Sequence, residues 1–142
     1  MKIGAFAIIF DENRRVLIGL RNDYDLWNLP GGGADQGETP WAAVIREVKE
    51  ETGLDAEIVR LTGVYFKEGK DEICFAFICK IVGGELRLTD ETREHKYVKP
   101  EELPHNFPPN QRERVFDALK DEVALKTQGG VSSIELLKQG KL

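Results

Sequence analysis

Hydrophobic residues along the first third of the chain fall into short runs that predict β-strands. The apolar run at residues 2–10 predicts a strand, and the polar residues 11–13 predict a turn. A second apolar run follows at residues 16–20. Because the connection between the two runs is short, we expect them to form a β-hairpin.

A helix-start signal and a helix-stop signal bracket residues 40–52. Thr39 supplies a capping hydroxyl and Pro40 follows at the first helical position. Gly53 is suited to the left-handed conformation that often ends a helix. Three- and four-residue steps predict an apolar side formed by Trp41, Ile45, Val48 and Thr52.

The middle of the chain predicts a sheet that is covered on both faces. Residues 56–66 predict a strand, and residues 72–82 predict another whose two faces are both apolar. A strand of the second kind implies packed layers above and below its sheet. Gly83 and Gly84 are a two-residue hairpin signal, so we expect residues 85–88 to form a returning strand.

The C-terminal part of the chain predicts mainly helix. Residues 110–126 predict a long helix capped by Asn110. Its buried stripe would consist of Val115, Phe116, Leu119 and Val123. Residues 129–130 are both glycine and break this helix, and Ser132 and Glu135 have capping-box spacing ahead of a short final helix.

Composition narrows the class of protein. With 142 residues, 41% hydrophobic and 32% charged, the chain fits one globular domain over residues 1–142, with residues 127–142 as a tail. A net charge of −5 argues against partners such as nucleic acid polymers or anionic membranes. The N-terminal apolar run is shorter than the roughly 20 residues of a membrane-spanning helix and lacks a signal-peptide cleavage site. Cys74 and Cys79 fit buried thiols in a reducing compartment, so we expect a cytoplasmic protein.

The candidate chemistry lies where the glycine triplet at residues 31–33 leads into the predicted helix. Glu47, Glu50 and Glu51 are three and four residues apart or adjacent, so they share one side of that helix. Like charges at these spacings destabilise an isolated helix by roughly 0.2–0.5 kcal/mol per pair. A solvated surface tolerates one such turn, but its position after a glycine loop favours binding of a multivalent cation.

The spacing of these residues resembles a known signature. Gly32 is followed after five residues by Glu38, and seven residues later by the run REVKEETGL at residues 46–54. This pattern resembles the Nudix box of the Nudix hydrolases at every defined position. The LWNLPGG lead-in, the pair Tyr97-Val98 and the nearby ELP segment are similar to the family's usual frame. The resemblance covers about residues 2–125.

This resemblance implies an α/β fold, an α/β/α sandwich around a mixed β-sheet. It also implies metal-dependent hydrolysis of a nucleoside diphosphate linked to another group, with Mg²⁺ or Mn²⁺ as cofactor. Carried over by position, Glu50 and Glu51 are metal ligands, and Glu47 is a third ligand or the general base. Arg46 would orient the glutamates, and Glu38 would pair with it or support the outer shell.

Further site residues follow from the same resemblance. A backbone carbonyl of Gly31 or Gly32 would complete the metal shell. Family members often carry another acidic residue before the aromatic that is here Tyr97, and Glu91 is our first choice and Glu94 our second. It would act as a ligand or as the general base.

Two residues outside the box are candidates for substrate contact. Arg21 could bind phosphate and Tyr24 could stack on a base, although ordinary surface roles are the simpler alternative. His95 and His105 fall on predicted loops, where surface exposure is the simplest interpretation. The chain would act as a monomer or a homodimer.

The box alone does not select the nucleotide substrate. ADP-ribose, other nucleotide sugars, nucleoside triphosphates (including oxidised ones) and dinucleoside polyphosphates all remain open. One alternative function is a non-catalytic module that senses nucleotides, but such modules tend to carry a degraded box. Another is isopentenyl diphosphate isomerase, which needs an active-site cysteine, whereas both cysteines here lie in an apolar strand.

Overall fold

The computed structural model describes all 142 residues. The strands are β1 (Lys2–Ile9), β2 (Val16–Arg21), β3 (Trp27–Asn28), β4 (Gly31–Gly33), β5 (Leu54–Lys67), β6 (Glu72–Gly84), β7 (Thr92–Val98) and β8 (Ala124–Gln128). The α-helices are α1 (Pro40–Thr52), α2 (Pro109–Asp117) and α3 (Ser133–Lys138), and a 3₁₀ turn spans Pro100–Glu102. No helix is both long and apolar enough to cross a membrane.

The strands form two sheets. A five-stranded sheet has the order β4-β1-β6-β5-β8, and a three-stranded sheet has the order β3-β2-β7. The larger sheet is mixed, because β1 runs parallel to β6 and β5 runs parallel to β8, while the other pairs are antiparallel.

Helices cover both faces of the larger sheet. On one face, Val44 and Val48 of α1 belong to a buried cluster with Ala5 and Ala7 of β1. On the other face, Val115 near the end of α2 joins a cluster built on side chains such as Tyr65 and Ala76. The predicted α/β/α sandwich around a mixed sheet is therefore confirmed.

The central strand β6 is buried on both faces, as the sequence predicts. Cys74 packs in the cluster beneath α2, and Cys79 packs in the cluster beneath α1. Both are free thiols and both are buried. Since the two side chains point to opposite faces, they do not approach each other across the strand.

Helix α1 has the predicted bounds and the predicted caps. The Thr39 hydroxyl accepts a hydrogen bond from the Ala42 amide at 3.1 Å, and Gly53 ends the helix with a φ of 79°. The predicted apolar side is only half right, because Trp41 is 57% exposed and Ile45 is 40% exposed. Ala43 and Val44 take the buried positions instead, and their small size lets the helix lie close to the sheet.

Two predicted hairpins are wrong. Strands β1 and β2 belong to different sheets, and their antiparallel pairing extends no further than the bridge between Phe10 and Val16 and the turn at residues 11–15. Gly83 and Gly84 are not a turn, because they continue β6 and pair with the start of β5. β5 is long enough to occupy the pairing positions that residues 85–88 would have needed.

The long C-terminal helix is also wrong. α2 ends at Asp117, and the last residues of the predicted helix form β8 along the edge of β5. Of the predicted stripe only Val115 is buried, while Phe116, Leu119 and Val123 are exposed. The competing interaction is backbone pairing with β5, and Lys126 of β8 also donates to Asp117 at 2.8 Å. Ser132 caps α3 as predicted, accepting from the Glu135 amide at 3.1 Å.

A buried hydrogen bond joins the sheet to α2. The Tyr65 hydroxyl donates to Oδ2 of Asp117 at 2.8 Å, and both residues are buried. Burial, followed by this hydrogen bond, raises the pKa of Tyr65 far above its ordinary value. The bond therefore belongs to the contact that holds α2 on the sheet.

We expect Tyr65→Phe to lower the free energy of unfolding by about 1–2 kcal/mol, because it leaves one Asp117 oxygen without its partner. Urea denaturation measures this change. Tyr97→Phe is the matched control, since the Tyr97 hydroxyl makes no hydrogen bond within the chain and its loss removes none. Equal stability of the two variants would contradict a structural role for this hydrogen bond.

Candidate active site

A polar cleft of about 500 Å³ opens where the two sheets meet. Side chains from both sheets and from all three helices line it. Its lining comprises Phe6, Gly19, Arg21, Asn22, Asp23, Asn28, Leu29, Pro30, Gly31, Glu51, Thr52, Asp90, Glu91, Thr92, His95, Gln111 and Ser133. The end of α1 and the start of β4 thus bring the predicted box to the cleft wall.

Arg46 is the centre of an ion-pair network beside this cleft. Its Nε and Nη2 donate to the two oxygens of Glu38 at 2.8 and 2.9 Å. Its Nη1 donates to Oε1 of Glu47 and to Oε2 of Glu50, each at 3.1 Å. The hydrogen bonds from Arg46 lower the pKa of Glu38 to about 2. Arg46 therefore contacts Glu38, Glu47 and Glu50 at once.

Glu51 lies in the cleft without a basic partner. Its Oε2 accepts a hydrogen bond from the Gly31 amide at 3.1 Å, and no salt bridge reaches it. Burial raises the pKa of Glu51 to about 8, and the charges of Glu47, Glu91 and Glu50 act in the same direction. The chain therefore holds a partly buried carboxyl group that has no positive charge beside it.

Glu47 occupies space that only a glycine leaves open. A Cβ atom added to Gly32 would lie 2.8 Å from the Glu47 carboxyl carbon, closer than such atoms pack. Burial raises the pKa of Glu47, even though Arg46 acts in the opposite direction. Gly31 has a φ of 151° and lies against the carbonyl of Ala5, so it also requires glycine.

The structure separates the candidates for the additional acidic residue. Glu91 lines the cleft, and its charge contributes to the raised pKa of both Glu47 and Glu51. Glu94 is exposed and does not line the cleft. Glu91 is therefore placed to share the site.

The predicted substrate contacts are placed differently from each other. Arg21 lines the cleft, where its guanidinium is paired with Asp23 at 2.7 and 2.8 Å. Tyr24 is not part of the lining, and its ring centre lies 5.5 Å from the Arg21 guanidinium carbon. Arg21 thus lines the cleft, whereas Tyr24 lies near Arg21 outside the cleft lining.

The predicted metal ligands Glu47, Glu50 and Glu51 lie near one another, but their carboxyl groups do not surround one common position. No group of three or more His, Cys, Asp or Glu side chains is arranged to hold a single ion. The reason is that Nη1 of Arg46 draws Glu47 and Glu50 together, while Glu51 turns towards Gly31. Each of the three glutamates keeps one carboxylate oxygen free of hydrogen bonds within the chain.

His95 is a cleft residue that the sequence does not reveal. It lies on β7 and not on a loop, and its ring is partly buried in the lining. Nε2 is 3.0 Å from the Arg87 carbonyl oxygen, whereas Nδ1 is buried without a partner. Burial lowers the pKa of His95. The charged composition of residues 89–96 conceals this strand.

The amide side chains of Asn28 and Gln111 are two further cleft residues that the sequence does not predict. Gln111, at the start of α2, donates to Oδ1 of Asn28 at 3.2 Å and accepts from the Leu29 amide at 2.7 Å. Both side chains lie on the cleft wall. In the sequence, only the position of Asn28 close to the glycine triplet indicates a place at the site. Gln111 carries no such indication, because it reaches the cleft through tertiary packing.

Comparison with known proteins agrees with this geometry. A model of the NUDIX domain matches residues 1–118. A Bacillus subtilis (strain 168) protein described as a candidate 8-oxo-dGTP diphosphatase is 36% identical over 141 residues, covering 96% of this chain and 95% of the relative. An ADP-ribose pyrophosphatase of Methanocaldococcus jannaschii is 38% identical over 104 residues, covering 69% of this chain and 62% of the relative.

A solved structure shows the same architecture. The crystal structure of an ADP-ribose pyrophosphatase from Streptococcus suis superposes with a TM-score of 0.73 at 28% identity, covering 89% of this chain and 98% of that one. The family match spans both sheets except β8, together with α1 and α2, which carry most of the cleft. This chain therefore belongs to the Nudix family and is an enzyme of its pyrophosphohydrolase class.

Proposed function

We propose that this enzyme uses a divalent cation, Mg²⁺ or Mn²⁺, to hydrolyse a phosphoanhydride bond in a nucleotide. The observation that carries the proposal is the partly buried Glu51 carboxyl group, which has acidic neighbours and no basic partner. A cation at this position would supply the missing positive charge. Oxidised purine triphosphates are the first substrates to test, because the relative described as a candidate 8-oxo-dGTP diphosphatase matches nearly the whole chain. ADP-ribose is the second.

The donor set suits a hard cation. Glu47, Glu50 and Glu51 would hold it, each through the oxygen that makes no hydrogen bond in the chain, and a carbonyl of Gly31 or Gly32 would complete the shell. Mg²⁺ and Mn²⁺ prefer such carboxylate and carbonyl oxygens. The bound cation would activate water and neutralise charge that develops on the phosphates.

The chain's own residues would position the reaction. Arg46, held by Glu38, fixes the positions of Glu47 and Glu50 through Nη1. In hydrolysis the water oxygen bonds to phosphorus, the bond to the leaving phosphate oxygen breaks, and a proton leaves the water. We assign proton acceptance to Glu91, which faces the cleft with Glu51, and a phosphate contact to Arg21.

A substrate panel tests this function. We expect release of a nucleoside monophosphate from 8-oxo-dGTP, dGTP or ADP-ribose when Mg²⁺ or Mn²⁺ is present, and none after chelation with EDTA. Chromatography of the products measures the outcome. Failure to cleave any phosphoanhydride with either metal would overturn the proposal, and nucleotide binding without cleavage would favour the sensing alternative.

The raised pKa of Glu51 predicts an unusual pH dependence of the free energy of unfolding in the metal-free protein. Its pKa of about 8 in the folded state exceeds the ordinary value of 4.5, so the folded protein keeps a proton that the unfolded chain loses. Stability should therefore fall as the pH rises from 4.5 through 8, by up to about 5 kcal/mol for a shift of this size. Glu51→Gln should remove this loss, as measured by urea denaturation in EDTA.

The control for this prediction is Glu94→Gln, which changes an exposed carboxylate with no partner in the chain. It should keep the pH dependence of the wild-type protein. An unchanged pH dependence in Glu51→Gln would show that the Glu51 carboxylate is not the group responsible.

Two neighbouring glycines should differ sharply in their tolerance of alanine. Gly32→Ala places a Cβ against the Glu47 carboxyl group, whereas Gly33→Ala meets nothing closer than the Ile3 carbonyl oxygen at 3.9 Å. Displacing one flexible side chain by about 1 Å can cost about 10²-fold in rate. We expect Gly32→Ala to lower kcat/KM by 10- to 100-fold with little change in Tm. Gly33→Ala should stay close to wild type, and equal losses in both variants would contradict the role given to Glu47.

A further inference from the structure

The C-terminal segment, residues 129–142, returns to the cleft after β8. Its start is held on α2, because Nδ2 of Asn110 donates to the Gly129 carbonyl at 2.9 Å. Nε2 of Gln128 donates in turn to the Asn110 carbonyl at 2.9 Å. Gly130 packs closely against the carbonyl of Glu68, where a side chain would not fit. These contacts fix the direction in which α3 leaves the sheet.

Helix α3 is well formed but contributes nothing to the core. Ser132 caps it, yet none of its residues is fully buried. Its first residue, Ser133, instead lines the cleft. The Ser133 hydroxyl makes no hydrogen bond with the rest of the chain, so it is free to bond with a ligand.

The cleft has two chemically different sides. Glu51 and Glu91 make one side acidic. The rest of the lining includes the neutral amides of Asn28 and Gln111 and the ring of Phe6, which packs against Gly31. Ser133 belongs to this neutral side, because its segment is anchored on Asn110, the residue next to Gln111.

The ring of Phe6 has a buried support. The Arg114 guanidinium carbon lies 5.1 Å from its centre, and Arg114 is only 2% exposed. An apolar ring held in this way, beside amide and hydroxyl groups, suits a nucleoside, which presents both a flat face and polar edges. The acidic side would take the metal-bound phosphates.

We propose that residues 129–142 complete the nucleoside end of the cleft, and that Ser133 is a specificity-determining residue that contacts the nucleoside. This inference rests on the proposed function. It is also consistent with the comparisons, because the family match ends at residue 118, whereas the Bacillus subtilis relative matches 96% of the chain. The segment thus lies outside the region that defines the family, where substrate selection can differ between members.

The test uses the full-length chain with Ser133→Trp and Ser133→Ala. The tryptophan side chain would fill the nucleoside end, so we expect KM for 8-oxo-dGTP or ADP-ribose to rise at least 10-fold with kcat within about threefold. The alanine variant removes the hydroxyl, and we expect the ratio of kcat/KM between these two substrates to change at least threefold. Glu135→Gln, an exposed change on the same helix, should alter neither value.

Binding of the nucleoside monophosphate by calorimetry provides a readout that does not need turnover. We expect Ser133→Trp to weaken this binding at least 10-fold while its Tm stays within 2 °C of wild type. Wild-type values of KM, substrate ratio and monophosphate affinity in both Ser133 variants would overturn the inference. A wild-type enzyme without turnover would overturn the proposed function instead, and the calorimetric result would still decide the role of Ser133.

Discussion

The unequal sharing of one guanidinium among neighbouring carboxylates governs the site. Arg46 contacts Glu38, Glu47 and Glu50 but leaves Glu51 to a backbone amide. The contacted carboxylates are oriented by hydrogen bonds, whereas Glu51 is partly buried and has no positive charge beside it. A buried carboxylate of this kind either keeps a proton or acquires a cation. The same cluster therefore limits the stability of the metal-free protein and supplies the affinity that we assign to the metal site.

The fold supports this arrangement because the backbone of β4 lies directly against the glutamate side chains of α1. Helix α1 lies on the sheet through small residues, and its acidic side therefore comes against the glycine strand β4. Gly32 leaves room for Glu47, and Gly31 offers its amide to Glu51. The glycine triplet and the glutamates thus depend on one another, which gives a physical reason for their fixed spacing in the sequence.

Local signals in the sequence predicted the parts of the structure that local interactions determine. Thr39, Pro40 and Gly53 define α1 through caps, and the doubly apolar pattern of β6 follows from burial on both faces. The errors occur where partners distant in sequence decide the outcome. The helical pattern that begins at residue 110 predicts helix as far as residue 126, yet residues 124–128 pair with β5 and form a strand. His95 and Ser133 reach the cleft only through tertiary packing, so neither position carries a local signal.

The parallel pairing of β8 with β5 has a consequence for how the protein folds. It joins Gly63 to Ala124, positions roughly 60 residues apart, so the entropy of closing that loop opposes early pairing. Contacts within α1 and between β5 and β6 span much shorter separations. The pairing of β1 with β6 spans a comparable separation, but β8 is an edge strand that pairs only with β5, so we expect β8 to dock late in folding and to exchange its amide protons before the central strands do. Ser133, which follows β8 in the chain, would then be the last residue of the cleft lining to reach its place.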